Sequence, residues 1–155
     1  MKTVGWQEFQ LVEPEMAGQV VVTLGKNPHH ILATIRKDGS PRVSGTNVFI
    51  SHGELWIGSM KQAQRVNDLR REARCAIHSA PLDENLQIPD LRIDLVAMDA
   101  SEEFARQVLT ENGSPLDACV SLMKIRGISM VTVKDDHLCL DRWNPDDGRH
   151  LTRIK

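Results

Sequence analysis

Between Ile31 and Ala80 three strand-like runs are separated by two tight-turn signals, a pattern that commits this part of the chain to antiparallel pairing. The run Ile31–Arg36 meets Lys37-Asp38-Gly39-Ser40-Pro41, where Asp-Gly supplies the left-handed backbone of a hairpin. The run Arg42–Ile50 meets Ser51-His52-Gly53-Glu54, a second hairpin signal. Leu55–Gly58 then leads through Ser59-Met60 into a helix expected from about Lys61 to Ala73, with Val66, Leu69 and Ala73 at helical spacing. Cys75–Ala80 is a fourth apolar strand, closed by Pro81.

The flanks extend the same plan. Residues 1–12 read as a helical or irregular lead-in. Glu13–Leu24 follows as a helix, with Pro14 in its first turn and Gly25 at its end, capping a barrel. Leu82–Asp90 is a polar loop and Leu91–Met98 an alternating fifth strand. Ser101 is placed to cap a helix over Ser101–Leu109, broken by Asn112-Gly113-Ser114-Pro115. Leu116–Met123 has the spacing of another short helix. Ile128–Val133 and His137–Arg142 form a last hairpin across Lys134-Asp135-Asp136, and Leu151–Ile154 an edge strand. At least six short strands with two to four helices make the fold mainly β: an antiparallel β-barrel with flanking helices.

A length of 155 residues points to a single domain able to bury a proper core. A net charge of −2 gives no general electrostatic reason to expect nucleic-acid binding, and the arginines after Lys61 are interleaved with Asp68 and Glu72. No apolar run is long enough for a membrane span, and the start MKTVGWQEFQ has no signal-peptide core, so the expected location is cytoplasmic. Cys75, Cys119 and Cys139 are odd in number and form no CxxC, which argues against disulfides and zinc; no metal site is expected. Tyr is absent and supplies no catalytic acid.

Two places carry candidate chemistry. At the strand-to-helix junction, Ser59 and Arg65 could hold a phosphate, or Ser59 could be an N-cap and Arg65 a solvated helix residue. In Arg42–Ile50, the polar residues Arg42, Ser44 and Thr46 share one face and need partners, either solvent or a ligand lying across the sheet. His29, His30 and His78 are too scattered for a metal site.

The succession LATIRKDGSPRVSG, GELWIGSM, a basic helix and CAIHSAP resembles the flavin-binding split β-barrel family, also called pyridoxamine 5'-phosphate oxidase-like. The likeness is strongest over roughly 30–81 and reaches weakly to DRWNPDDG, which is similar to the family's closing strand. It implies a split antiparallel barrel of the FMN-binding type over 1–155, with 1–28 as a helical lead-in. It also implies a homodimer holding the cofactor at the subunit interface, and hydride transfer between FMN and a small organic substrate. The deazaflavin coenzyme is the alternative cofactor and haem a more distant one. A non-catalytic flavin- or haem-binding module of the same fold is the alternative function.

The family's phosphate motif maps onto Gly58-Ser59 and Ala63-Gln64-Arg65. Arg65 keeps the cation, Gly58 stands for an aromatic residue, and Ala63 and Gln64 depart from the usual hydroxyl and first cation. The resemblance thereby places cofactor binding on Arg42, Ser44, Gly45, Thr46, Asn47, Ile57, Gly58, Ser59, Met60, Gln64 and Arg65, and Gly45 would let a flat ring approach the backbone. It singles out no catalytic residue, since a flavin carries its own redox chemistry. The resemblance does not extend to the Arg- and His-rich C-terminal segment of the vitamin B6 oxidases, so a true vitamin B6 oxidase is not expected. Trp143 is either a stacking residue for a cofactor held by a second subunit or an anchor at the barrel edge.

Overall fold

The computed structural model describes residues 2–81 and 83–155. Its elements run α1 (Trp6–Val12), α2 (Pro14–Gly25), β1 (His30–Ile35), β2 (Pro41–Thr46), β3 (Phe49–Ser51), β4 (Glu54–Ser59), α3 (Gln64–Arg71), β5 (Arg74–His78), β6 (Asp90–Asp99), α4 (Glu102–Glu111), β7 (Cys119–Lys134), β8 (His137–Asn144) and β9 (Gly148–Ile154). The ends of the expected lead-in and loop, Met1 and Leu82, lie outside the described residues.

All strand pairs are antiparallel, in the order β2-β1-β5-β6-β7-β4-β3, with β8 on β7 and β9 on β8. The two ends of this path, β2 and β3, are consecutive in the chain but not paired, so the barrel is split there. The expected single strand Arg42–Ile50 is therefore two. The chain leaves one sheet edge at Thr46, crosses through Asn47-Val48 and joins the other edge at Phe49. The turn signals act as read: Gly39 takes φ +85°, and His52-Gly53 and Asp135-Asp136 occupy the left-handed region in their hairpins.

Two helix expectations change. Leu116–Met123 is not a helix; β7 begins at Cys119 and runs for 16 residues. The helix reading is overridden because β7 pairs with β4 on one side and β6 on the other. Helix α3 is shorter than Lys61–Ala73, starting at Gln64 behind a turn in which the Ala63 N–H donates to the Met60 carbonyl. Ser59 ends β4 and is not its cap; the N-cap position is Ala63, which offers no side-chain bond. By contrast Ser101 caps α4 as expected, its hydroxyl accepting from the Phe104 N–H at 3.2 Å.

Helices α1 and α2 close one end of the main core through Trp6, Phe9, Met16, Ala17, Val20 and Leu24. A fully buried side chain of this kind contributes about 1.5–3 kcal/mol. Phe9 lies 4.9 Å, centroid to centroid, from Trp143, which is 4% exposed; Trp143 is a barrel anchor in this chain. A second, smaller core gathers Trp56, Val108, Leu109 and Val120 under α4.

His30 joins the end of α2 to the end of β5. Its Nδ1 accepts from the Ala80 N–H at 3.2 Å, which leaves Nε2–H to donate to the Leu24 carbonyl at 3.1 Å. Burial holds its pKa below the ordinary 6.5, against the opposing pull of the Leu24 and Asn27 backbone bonds. The neutral ring therefore stabilises the fold fully above about pH 6.5, and that contribution declines as the pH falls through 6.5 toward the folded value. Urea midpoints from pH 8 to 5 should fall more steeply in the parent than in His30→Gln; equal slopes would remove His30 as the cause.

Candidate functional site

Strand alternation decides which residues reach the split. In β2, Arg42, Ser44 and Thr46 turn inward, and Val43 and Gly45 turn outward. In β4, Leu55 and Ile57 enter the main core, while Trp56 packs with the smaller core on the opposite face. The β3–β4 register sets Phe49 opposite Trp56, and the rings stack at 4.3 Å with an interplanar angle of 19°. Trp56 Nε1 donates to Ser51 Oγ at 3.0 Å, which satisfies its polar end.

Beside these rings a cleft of about 730 Å³ opens across the split. One wall is the end of β2 with Gly45, Thr46 and Asn47. The opposite wall is the end of β4 with Gly58, Ser59 and Met60. The turn Lys61–Ala63, Arg65, Leu109 and the loop residues Ser114, Pro115, Asp117 and Ala118 complete the lining. His29 also reaches the cleft. Two of its wall residues are bare backbone: a Cβ built on Gly45 or Gly58 would meet no atom within 4 Å, and neither glycine has a left-handed φ. Neither glycine is needed for its conformation or for tight packing within the chain; both leave open space over the cleft walls.

Arg65 spans the split. From the first turn of α3 its Nε donates to Ser59 Oγ at 2.9 Å, one terminal nitrogen to the Gly45 carbonyl at 2.6 Å and the other to the Gly58 carbonyl at 3.4 Å. All three acceptors are neutral, and none of the ion pairs among the described residues includes Arg65. Burial lowers the pKa of this half-buried group, but a guanidinium stays charged in a protein. Three of its five N–H donors are used by these bonds. A half-buried cation with no carboxylate partner among the described residues, lining an open cleft, is suited to an anion.

One turn further along α3, Asp68 is 4% exposed at its side chain and accepts from three donors. Thr34 Oγ1 lies at 3.0 Å, Arg42 Nε at 2.6 Å and an Arg71 terminal nitrogen at 3.1 Å. Arg71 also donates to the Ile35 carbonyl. On the polar face of β2, Arg42 thus finds its partner in helix α3, while the Thr46 hydroxyl donates to the Asn47 carbonyl at 3.1 Å. Ser44 Oγ on the same face is buried without a hydrogen-bond partner among the described residues.

The residues expected to bind a cofactor divide accordingly. Gly45, Thr46, Asn47, Gly58, Ser59, Met60 and Arg65 come together on the cleft. Arg42 is turned to Asp68, Ser44 faces inward, the Ile57 side chain lies in the main core, and Gln64 is exposed outside the cleft. The sequence reading missed Phe49 and Trp56, although the hairpin register would have set them opposite each other. It also missed Leu109, Pro115 and Ala118, which arrive from a distant helix and loop. His78 bonds through Nδ1 to the Ser79 carbonyl and does not line the cleft. Among the described residues no three His, Cys, Asp or Glu side chains group as a metal site would, and no helix is long and apolar enough to cross a membrane.

Neither a protein-family model nor a curated protein sequence matches this chain. Solved structures do match its fold. PhzG from Burkholderia lata, in complex with tetrahydrophenazine-1-carboxylic acid, aligns with a TM-score of 0.70 at 10% identity, over 97% of this chain and 93% of that one. A pyridoxamine 5'-phosphate oxidase-related, FMN-binding protein from Nostoc punctiforme aligns at 0.62 and 12%, over 89% and 96%. HutZ, a haem storage protein from Vibrio cholerae, aligns at 0.56 and 17%, over 76% and 92%. The chain therefore has the pyridoxamine 5'-phosphate oxidase-like split β-barrel fold, and the resemblance read from its motifs holds at the level of the fold.

Proposed function

We propose that the cleft binds FMN and that the chain is a pyridoxamine 5'-phosphate oxidase-like oxidoreductase, passing hydride between the flavin and a small organic substrate. The observation that carries this reading is Arg65, a half-buried cation with neutral partners only, beside two glycines that leave open space above the cleft walls. Arg65 and Ser59 would hold the phosphate, and the backbone at Gly45 and Gly58 would border the ring. Leu109, Pro115 and the Phe49–Trp56 pair would shield it from water. Bound FMN would supply the redox chemistry. The deazaflavin coenzyme, with a phosphate and a similar tricycle, is the alternative. Cys75, on β5, is no candidate nucleophile, since burial pushes its thiol up to about 12.

Further features support the assembly and setting. Val43, Met60 and Leu116 are 67%, 80% and 67% exposed on the strand, junction and loop that border the cleft, so we assign this rim to a second copy in a homodimer. Arg70, Arg71 and Arg74 pair with Asp99, Asp68 and Glu72, which argues against a nucleic-acid face. Three free cysteines fit a reducing, cytoplasmic compartment.

The test is FMN titration followed by fluorescence quenching, in the parent and in Arg65→Ala. Loss of a charge-assisted phosphate contact should weaken binding by about 1–3 kcal/mol, roughly 5- to 150-fold. Unchanged affinity in a folded variant would remove Arg65 from the site. FMN held without turnover by any reductant would assign the non-catalytic module instead, and a Soret band on adding haem, with no flavin binding, would assign the haem-binding one.

A further inference from the structure

We infer that Asp68, acting through Arg42, is a positioning residue for the cleft: it fixes β2 against α3 and so sets the span across which Arg65 reaches. Only the affinity part of this inference rests on the FMN reading.

The inference follows from how β2 is held. Its ladder is to β1 alone, and its other edge faces the split with no strand paired to it. β2 is instead held from α3 at two points, one on its backbone and one through a side chain of its inner face. Arg65 bonds the Gly45 carbonyl at 2.6 Å, and Asp68 bonds Arg42 at 2.6 Å. Arg42 and Gly45 are three residues apart, roughly 10 Å along a strand, so two fixed points define both the position and the direction of β2. Arg65 and Asp68 are themselves three residues apart and share a helix face. The Asp68 carboxylate also takes the Thr34 hydroxyl of β1, which ties the helix to the inner neighbour of β2.

The far ends of the Arg65 contacts, Ser59 and Gly58, belong to β4 across the split. If β2 shifts on α3, Arg65 cannot keep both sets of partners at once. Arg42, expected from the sequence to touch the cofactor, instead spends its charge on Asp68 and does not line the cleft. Its effect on a ligand is exerted through Arg65.

The experiment uses the full-length ¹⁵N-labelled protein. The Arg65 Nε–H signal, assigned by its loss in Arg65→Ala, reports the bond to Ser59 without any cofactor. In Asp68→Asn and Arg42→Met its exchange with solvent should speed up at least tenfold. Leu91→Val, a destabilising change in the main core away from α3, should leave it as in the parent. Arg42→Met keeps the Thr34 and Arg71 bonds of Asp68 and serves if Asp68→Asn fails to fold. In FMN titrations both variants should lose at least fivefold in affinity, and Asp68→Asn added to Arg65→Ala should cost less than a further twofold. An unchanged Arg65 signal in folded Arg42→Met would overturn the inference, as would losses that multiply fully in the double variant. A parent that binds no FMN would sink the cofactor reading while the exchange measurement still decides the positioning role.

Discussion

Gly58→Val is expected to fold as the parent does and to lose FMN binding by a hundredfold or more, at least about 2.7 kcal/mol. The fold should tolerate it because a Cβ at Gly58 meets no atom within 4 Å and its φ is not left-handed. Valine is also better suited than glycine to a strand, and Gly58 pairs with Val120 of β7. Binding should fail because the added branches stand on the wall of the cleft where a flat ring would lie. Gly45→Val tests the opposite wall in the same way. Thermal melts with FMN titrations check both. Unchanged melting with unchanged affinity would place the ligand elsewhere; a cofactor-independent fall in melting temperature would show that the open space has a structural use.

The second large effect is on stability. Asp68→Ala should cost about 2–4 kcal/mol. Removing one partner of a buried ion pair typically costs 3–5, and the figure is reduced here because Arg42 and Arg71 are 26% and 37% exposed and regain water. For a chain of this length that is a fall in melting temperature of roughly 5–12 °C. Burial works to raise the Asp68 pKa, but the bonds from Arg42, Arg71 and Thr34 together outweigh it and hold the group below the ordinary 3.8. Its stabilisation is therefore complete above about pH 4 and is lost as the pH falls through the folded value. Acid unfolding of the parent should show this loss and that of Asp68→Asn should lack it. A melting shift under 1 °C in Asp68→Ala would contradict the buried anchor.

Local turn chemistry and alternation were enough to read the meander, because Asp38-Gly39 and His52-Gly53 each specify a left-handed backbone that pairs the flanking runs. The same alternation correctly put Arg42, Ser44 and Thr46 on one face. It could not name the partner of Arg42, since Asp68 arrives 26 residues later on a helix whose docking is a tertiary fact. The break at Asn47-Val48 was illegible for a similar reason. No Pro or Gly marks it, and it exists because β2 and β3 belong to opposite sheet edges. The segment 116–123 was misread because a strand buried between two neighbours keeps apolar residues at spacings that also fit a helix. In the cleft, Ser59 and Arg65 were legible at the strand-to-helix junction itself, while Gly45 and Gly58 came through the motif resemblance. Leu109 and Pro115 carried no local sign, being brought in by the packing of α4 on Trp56.

The central claim, that the cleft takes a flavin and Arg65 holds its phosphate, is tested most directly by comparing FMN with riboflavin on the parent protein. The two share the ring and differ in the phosphate. The account predicts saturable FMN binding, with riboflavin weaker by roughly tenfold or more, the size of one charge-assisted contact. Equal affinity for the two, or no binding of either to the folded protein, would contradict it.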